Sequence, residues 1–275
     1  MTKSLVRVAL CQRCSSGSFE HNLSASAAMV RQAAQMYEGL DVIILPEANS
    51  FFPHSPEESR ACAQEIPGPY TDVFSALARE LDVNIIPGSI IEKTVHNKVK
   101  NSVCFINRQG NIVAKYEKVH LMDALGARES DNVDAGDTIC VFDTDFGRVG
   151  IQVCYDCRFP ELARSMVLAG AEILFVPACF PCGNLLPPRT DHWDLLVDAM
   201  ALQNLTWVVA CNQYGDLETE HPFGRSRVVS PWGTPVSVAR EGDCILYAAM
   251  DMEYQSSVRA KVGGLSNRRP DVYRL

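Results

Sequence analysis

Short apolar runs rich in β-branched residues alternate along this chain with longer segments whose apolar residues recur at helical spacing. The run VRVAL at residues 6–10 and the run DVIIL at 41–45 are typical of buried strands, and Pro46 ends the second run. The alanine-rich segment 22–37 has helical periodicity and lies between them. Because repeated strand–helix–strand units cover a sheet with helices, the sequence predicts an α/β protein.

The same patterns predict further elements. The other predicted helices span residues 69–81, 160–169 and 191–204. The other predicted strands span residues 83–91, 102–106, 112–116, 149–153, 171–177 and 207–211. Turn residues at 231–233 predict hairpins between residues 226 and 250, and the turn-rich loop 181–189 is expected to border a site. No composition shift marks a linker, so we expect a single domain over residues 1–275.

Composition narrows the functional class. The 275 residues are 47% hydrophobic, which supports a packed core, and the net charge of −8 disfavours broad contact with nucleic acid or anionic membranes. No window reaches the roughly 18 apolar residues of a membrane span, and the start of the chain lacks the apolar stretch of a signal peptide. The eleven cysteines cannot all pair internally, and several lie in apolar runs. We therefore expect a cytoplasmic protein with reduced thiols.

Three chemically capable residues lie where predicted strands end. In the segment VGIQVCYDCRFPE a strand runs into a turn and then a helix, which places Cys154 at the carboxyl end of that strand. A helix N-terminus or a cation nearby would stabilise its thiolate. Glu47 follows the run IILP, and Lys118 follows strand 112–116. Taken singly, each has an ordinary alternative: packing for Cys154, and a solvated strand end for Glu47 and Lys118.

Together, the motifs LPE at Glu47, YEKVHL at Lys118 and CYD at Cys154 resemble the carbon–nitrogen hydrolase (nitrilase-like) superfamily, which carries them in this order. The segments NS at 101–102, HWDLLVDAMALQN at 192–204 and SRVVSPWG at 226–233 are also similar to that family. The segment CYDCRFPE looks most like the omega-amidase-like branch. The resemblance implies a four-layer α-β-β-α sandwich. It also implies a homodimer or larger homo-oligomer assembled through the face near the helix that follows the cysteine.

The resemblance further implies a thiol-dependent mechanism that needs no cofactor and no metal. Cys154 would attack an amide carbonyl, which is a poor electrophile and needs a strong nucleophile. Glu47 would act as the general base, while Lys118 and the backbone N–H of Tyr155 would hold the oxyanion. The family often has a second glutamate beside the lysine, and Glu129 in ARESD matches that position. An ordinary loop carboxylate is the alternative for Glu129.

Arg158 lies four residues beyond the cysteine of the CYD motif. Branches of the family that act on carboxylate-bearing substrates, such as omega-amidases and N-carbamoyl amino acid hydrolases, carry an arginine at this place. A guanidinium binds a carboxylate through two hydrogen bonds and so fixes its direction. The alternative is a structural ion pair with an acid such as Glu161.

Three functions remain open on the sequence alone. The favoured one is an amidase that cleaves the terminal amide of a small carboxylate-bearing molecule and releases ammonia. An N-carbamoyl amino acid amidohydrolase and a non-catalytic thiol or redox protein are the alternatives. Zinc binding is disfavoured because the CxxC pairs lie in or beside apolar strands. These pairs are Cys11/Cys14, Cys154/Cys157 and Cys179/Cys182. His120 and His192 are expected to make structural hydrogen bonds.

Overall fold

A computed structural model describes residues 3–15, 18–182, 189–217 and 220–274. The strands are β1 (Leu5–Gln12), β2 (Val42–Ile44), β3 (Asn84–Ile86), β4 (Ser89–Glu92), β5 (Lys100–Ile106), β6 (Ile112–Glu117), β7 (Cys140–Asp143), β8 (Arg148–Ile151), β9 (Ile173–Ala178), β10 (Trp207–Asn212), β11 (Arg227–Val229), β12 (Pro235–Val238) and β13 (Cys244–Asp251). The helices are α1 (Phe19–Met36), α2 (Pro56–Cys62), α3 (Pro69–Leu81), α4 (Pro160–Leu168), α5 (Thr190–Asn204) and α6 (Met252–Val262). Short 3₁₀ helices cover Glu129–Asp131 and Cys154–Arg158. Within the described ranges, no helix is long and apolar enough to cross a membrane.

The strands form two mixed sheets. The strand order of the first sheet is β13-β1-β2-β3-β5-β4, and β6 also pairs with β5. The order of the second sheet is β12-β11-β10-β9-β8-β7. The central strands are parallel in both sheets: β1, β2 and β3 in the first, and β8, β9 and β10 in the second. Their carboxyl ends therefore meet at one edge of each sheet, where α/β proteins place their sites.

The alternation of side chains along β1 shows how the layers are stacked. Val8 and Leu10 belong to a core shared with the second sheet, whereas Ala9 and Cys11 belong to a core formed with α1 and α3. On the second sheet, α4 approaches closely at Gly150, where an added Cβ would lie 3.0 Å from the sulfur of Met166. The layers run helix, sheet, sheet, helix, and the predicted four-layer α-β-β-α sandwich is confirmed.

Most predicted elements are confirmed, with bounds that move by a few residues. The predicted helix 22–37 begins at Phe19, because the side chain of Ser18 caps it by accepting a hydrogen bond from the His21 N–H. The predicted helices 69–81 and 160–169 begin at Pro69 and Pro160, where a proline suits the first turn. The sequence patterns missed α2, β7 and α6, which are short or weakly amphipathic.

Two strand predictions are wrong. The single strand predicted over residues 83–91 is two strands, β3 and β4, because the chain turns at Gly88. Gly88 has a φ of +78°, and a Cβ there would lie 2.1 Å from the Pro46 carbonyl oxygen, so only glycine fits. Of the hairpins predicted between 226 and 250, β11 and β12 form one. In contrast, β13 crosses to the first sheet and pairs antiparallel with the whole of β1.

Candidate active site

Glu47 lies just beyond β2, at the carboxyl edge of the first sheet. The residues of the preceding run 42–46 are all buried, so the turn that follows carries the glutamate over the sheet edge with its side chain only 7% exposed. Oε1 accepts a hydrogen bond from Asn101 Nδ2 at 2.9 Å. Oε2 accepts one from the backbone N–H of Cys179, at the end of β9 in the second sheet, at 2.8 Å. These donors satisfy the buried carboxylate and fix its orientation.

Lys118 directly follows β6, and its side chain is buried between two glutamates. Its Nζ lies 3.0 Å from Glu47 Oε1, and 3.1 and 2.9 Å from the two oxygens of Glu129. Burial alone would lower the pKa of Lys118, but Glu47, Glu129 and Cys154 together raise it well above its ordinary value. The amine therefore stays protonated at neutral pH and places a fixed positive charge at the site.

Cys154 begins the 3₁₀ helix that follows β8. Its φ of +45° lies in the left-handed region, which is unfavourable for a residue with a Cβ and marks a sharp bend out of the strand. Burial raises the pKa of the Cys154 thiol well above its ordinary value, Glu47 raises it further, and Lys118 acts in the opposite direction. The thiol is thus protonated at neutral pH.

A buried aspartate joins the bend at Cys154 to the end of β6. Asp156 accepts hydrogen bonds from the Tyr116 hydroxyl at 2.7 Å and the Val153 N–H at 2.8 Å. It also accepts the His120 N–H at 2.9 Å, and His120 Nδ1 lies 2.8 Å from the same carboxylate. Asp156 is fully buried, so these contacts satisfy a charge that solvent cannot reach.

The site opens into a cavity of about 730 Å³. Glu47, Lys118, Glu129 and Cys154 all line this cavity, together with Tyr155. Glu129 is held in place from two sides, because the Met122 N–H donates to its Oε2 at 2.7 Å while Lys118 binds both of its oxygens. The structure therefore brings five of the six sequence-predicted site residues to one cavity.

The sixth residue, Arg158, is placed differently. Its guanidinium lies 5.9 Å from the Tyr155 ring and 5.4 Å from the Phe180 ring, and its Nη2 is 3.4 Å from His192 Nδ1. Arg158 is not among the residues that line the cavity, whereas Arg189 is. Of the loop predicted to border a site at 181–189, Pro181 and Arg189 do line the cavity. Residues 183–188 of that loop lie outside the described residues.

The sequence analysis did not predict the roles of several residues that hold the site together. Asn101 and the backbone of Cys179 hold Glu47, and Asp156 holds the bend. The rule that chemistry collects at carboxyl ends of parallel strands points to Cys179, since it directly follows β9. Asp156 carries a different signal, because a charged residue inside an otherwise buried turn must have buried partners. His120, expected to make structural hydrogen bonds, does so through this aspartate.

A buried thiol, two carboxylates and an amine, gathered where the edges of two stacked sheets meet, define a thiol-dependent hydrolase site on an α-β-β-α sandwich. Comparison with known proteins agrees. The carbon-nitrogen hydrolase family model matches residues 7–260. This chain belongs to the carbon–nitrogen hydrolase family, as its motifs predict, and the predicted enzyme class is confirmed.

Individual relatives match over nearly the full chain. Deaminated glutathione amidase from Bos taurus is 35% identical over 277 aligned residues, which cover 97% of this chain and 83% of that protein. Omega-amidase NIT2-A from Xenopus laevis is 32% identical over 261 aligned residues, covering 92% and 91% of the two chains. The crystal structure of Saccharomyces cerevisiae Nit3, a member of branch 10 of the nitrilase superfamily, superposes with a TM-score of 0.87 at 30% identity over 98% of each chain.

Proposed function

We propose that this protein is an amidase that hydrolyses the terminal amide of a small carboxylate-bearing molecule through a cysteine thioester and releases ammonia. The observation that carries the proposal is the cluster of Cys154, Glu47, Lys118 and Glu129 on one cavity. The names of the two relatives, an omega-amidase and a deaminated glutathione amidase, support the amide as substrate.

In the proposed reaction, the Cys154 sulfur attacks the amide carbonyl while its proton passes to Glu47. This transfer is required because the resting thiol is protonated, and Glu47 lines the same cavity as the thiol. The oxygen that becomes negative is held by the Lys118 ammonium and the backbone N–H of Tyr155. Glu47 then gives the proton to the departing nitrogen, so ammonia leaves and a thioester remains.

The second half of the reaction reuses the same groups. A water enters where ammonia left, and Glu47 takes its proton as the water oxygen attacks the thioester carbonyl. The tetrahedral intermediate collapses, the carboxylic acid leaves, and the proton returns to the sulfur of Cys154. Glu129 takes no proton in this scheme. It keeps the Lys118 ammonium in position through its two hydrogen bonds of 3.1 and 2.9 Å.

An ammonia-release assay over a panel of compounds tests the proposal directly. The panel contains monoamides of dicarboxylic acids, simple aliphatic amides, N-carbamoyl amino acids and aliphatic nitriles. We expect the highest kcat/KM with the acid monoamides. Release of carbon dioxide together with ammonia from the carbamoyl compounds would instead indicate an amidohydrolase of that type. No turnover of any compound would favour a non-catalytic thiol protein.

Replacement of Glu47 by glutamine tests its role as the base. Glutamine keeps the size of the side chain but cannot take a proton, so we expect kcat to fall by roughly 10²- to 10⁴-fold, the range of a lost general base. Glu117→Gln is the matched control, because Glu117 is a partly buried glutamate adjacent to Lys118 that pairs with Lys100 and Lys115 instead. Steady-state kinetics on the best amide measure both variants. A near-normal kcat in Glu47→Gln would reject its role.

We also propose that the protein acts in the cytosol as a homodimer or larger homo-oligomer. Eleven free cysteines suit a reducing compartment. Large apolar side chains are exposed on α4, α5 and the turn after β11, which is typical of a surface that another copy covers. These residues are Leu168, Leu195, Leu202 and Trp232, which are 43–67% exposed.

Light scattering measures the predicted assembly. For the wild-type chain we expect a molar mass at least twice the 30.3 kDa of one copy. Leu195→Glu introduces a charge into the apolar face and is expected to shift the protein toward the monomer. Val95→Glu is the control, because Val95 is 94% exposed on the loop between β4 and β5, remote in sequence from this face. A wild-type mass of one copy would contradict the proposed assembly.

A further inference from the structure

Arg189 is a buried arginine that faces the catalytic cavity. Arg189 directly precedes α5 and is only 6% exposed. It lines the same cavity as Cys154. Its Nε has no hydrogen-bond partner among the described residues, and no carboxylate described here lies within ion-pair distance of its guanidinium.

The surroundings of Arg189 hold the guanidinium without neutralising it. Its Cζ lies 5.4 Å from the centre of the Phe180 ring, which stabilises a cation without cancelling its charge. Phe180 is itself fixed, because its N–H donates to Asn212 Oδ1 at 2.7 Å and its ring packs 5.5 Å from that of Trp193. The arginine therefore presents a rigid, positively charged group to whatever occupies the cavity.

One acid shares this part of the cavity with Arg189. Glu220 lines the cavity, and burial raises the pKa of its carboxyl group above the ordinary value although Arg189 and His221 act in the opposite direction. Glu220 is thus less readily ionised than an ordinary glutamate, and it does not reach Arg189 as an ion pair in the described structure. An arginine keeps its charge at every accessible pH, and among the described residues no carboxylate forms an ion pair with this buried guanidinium.

We propose that Arg189 binds the carboxylate of the substrate and thereby selects acid-bearing amides, an inference that rests on the proposed amidase function. A carboxylate accepts two hydrogen bonds from a guanidinium, and among the described residues no carboxylate occupies that of Arg189, which lines the cavity. Arg158, the residue that the sequence suggests for this task, lies outside the cavity lining and contacts His192. The guanidinium groups of Arg158 and Arg189 both lie 5.4 Å from the centre of the Phe180 ring. Arg158 therefore helps to hold the ring that Arg189 contacts.

The test compares a charged and a neutral amide in variants of three arginines, Arg189, Arg158 and Arg31. The substrates are glutaramate and pentanamide, which differ in the terminal carboxylate. In Arg189→Met, kcat/KM for glutaramate is expected to fall about 10- to 100-fold, mainly through KM, while kcat/KM for pentanamide stays near the wild-type value. Arg189→Lys is expected to recover only part of the loss, because an ammonium lacks the two-pronged geometry. Arg31→Met, on the outer face of α1, is the control and is expected to behave as wild type.

Binding of glutarate, measured by calorimetry, provides a readout that does not depend on turnover. We expect the wild-type chain to bind glutarate and Arg189→Met to bind it at least about tenfold more weakly. If the wild type hydrolyses no amide but shows this difference, the proposed function fails and the role of Arg189 stands. The role is overturned if the wild type does not bind glutarate, or if Arg189→Met affects both substrates equally. It is also overturned if Arg158→Met, rather than Arg189→Met, removes the preference for the charged substrate.

Discussion

Replacement of Cys154 by alanine is expected to abolish ammonia release, with kcat lower by at least about 10⁴-fold, while the chain stays folded. The large effect arises because no other group in the proposed reaction forms the thioester, so the two-step route is lost altogether. Folding survives because alanine, like cysteine, carries a Cβ at the φ of +45° and therefore adds no new backbone strain. Only a small sulfur atom is removed from a site that already borders a cavity.

Cys157→Ala is the matched control for this substitution. Cys157 is buried in the same 3₁₀ helix but does not line the cavity, so its removal is expected to leave kcat close to the wild-type value. Circular dichroism and steady-state kinetics on both variants separate loss of fold from loss of chemistry. Normal turnover in Cys154→Ala would refute the proposed nucleophile. Equal losses in both variants would show that the helix, rather than the sulfur, is what matters.

Stability is expected to fall steeply above pH 9, because several thiols are buried in apolar surroundings. Burial raises the pKa of Cys11, Cys104, Cys140 and Cys157 from 9.0 to about 12. Between these two values the unfolded chain has released protons that the folded chain still binds. Stability therefore decreases as pH rises, by about 1.4 kcal/mol per pH unit for each thiol and roughly 5 kcal/mol per unit for the four together. The stabilisation is fully present below pH 9.

Urea unfolding in the presence of a reductant measures this dependence. We expect the free energy of unfolding to be nearly flat from pH 7 to 8 and to fall between pH 9 and 10 by an amount comparable to the whole stability of a typical domain. Cys104→Val removes one buried thiol while keeping an apolar side chain of similar size, so it is expected to reduce the slope by about 1.4 kcal/mol per pH unit. Unchanged stability at pH 10 would show that the buried thiols do not control alkaline unfolding.

The sequence predicted the strands and helices correctly where the local hydrophobic pattern alone determines the element. Fully apolar runs such as 42–45 are typical of interior strands of a covered sheet, and the structure confirms this strand at Val42–Ile44. The errors occur where a single residue ends a strand or where a strand pairs with a partner far away in the sequence. Gly88 splits one run in two, and the dipeptide Pro87–Gly88 inside that run is a turn signal to which the strand prediction gave no weight. Likewise, β13 pairs with β1 more than 230 residues away, and a hairpin pattern carries no information about such a partner.

The site was predictable because three of its residues lie at strand ends, in motifs that resemble those of the carbon–nitrogen hydrolase family. Glu47, Lys118 and Cys154 each follow a strand, and the structure brings them together at one cavity. Arg158 and Arg189 differ in a way that spacing cannot reveal. Four residues beyond a bend, a side chain points wherever the 3₁₀ helix directs it, and here Arg158 lies against aromatic rings instead of lining the cavity. Arg189 reaches the cavity from the start of a helix far along the chain.

The aspartate at the bend has a mechanical consequence. Asp156 binds Tyr116 and His120 at the end of β6 in the first sheet and Val153 just after β8 in the second. The distance between the Cys154 sulfur and the Lys118 ammonium therefore depends on how the two sheets are positioned relative to each other. A substitution that loosens the packing between the sheets, such as Phe105→Ala, removes ring contacts with Phe142 and Phe146. Such a substitution would misalign the reacting groups even when the protein remains folded. We therefore expect kcat to respond more strongly than the melting temperature to changes in packing between the two sheets.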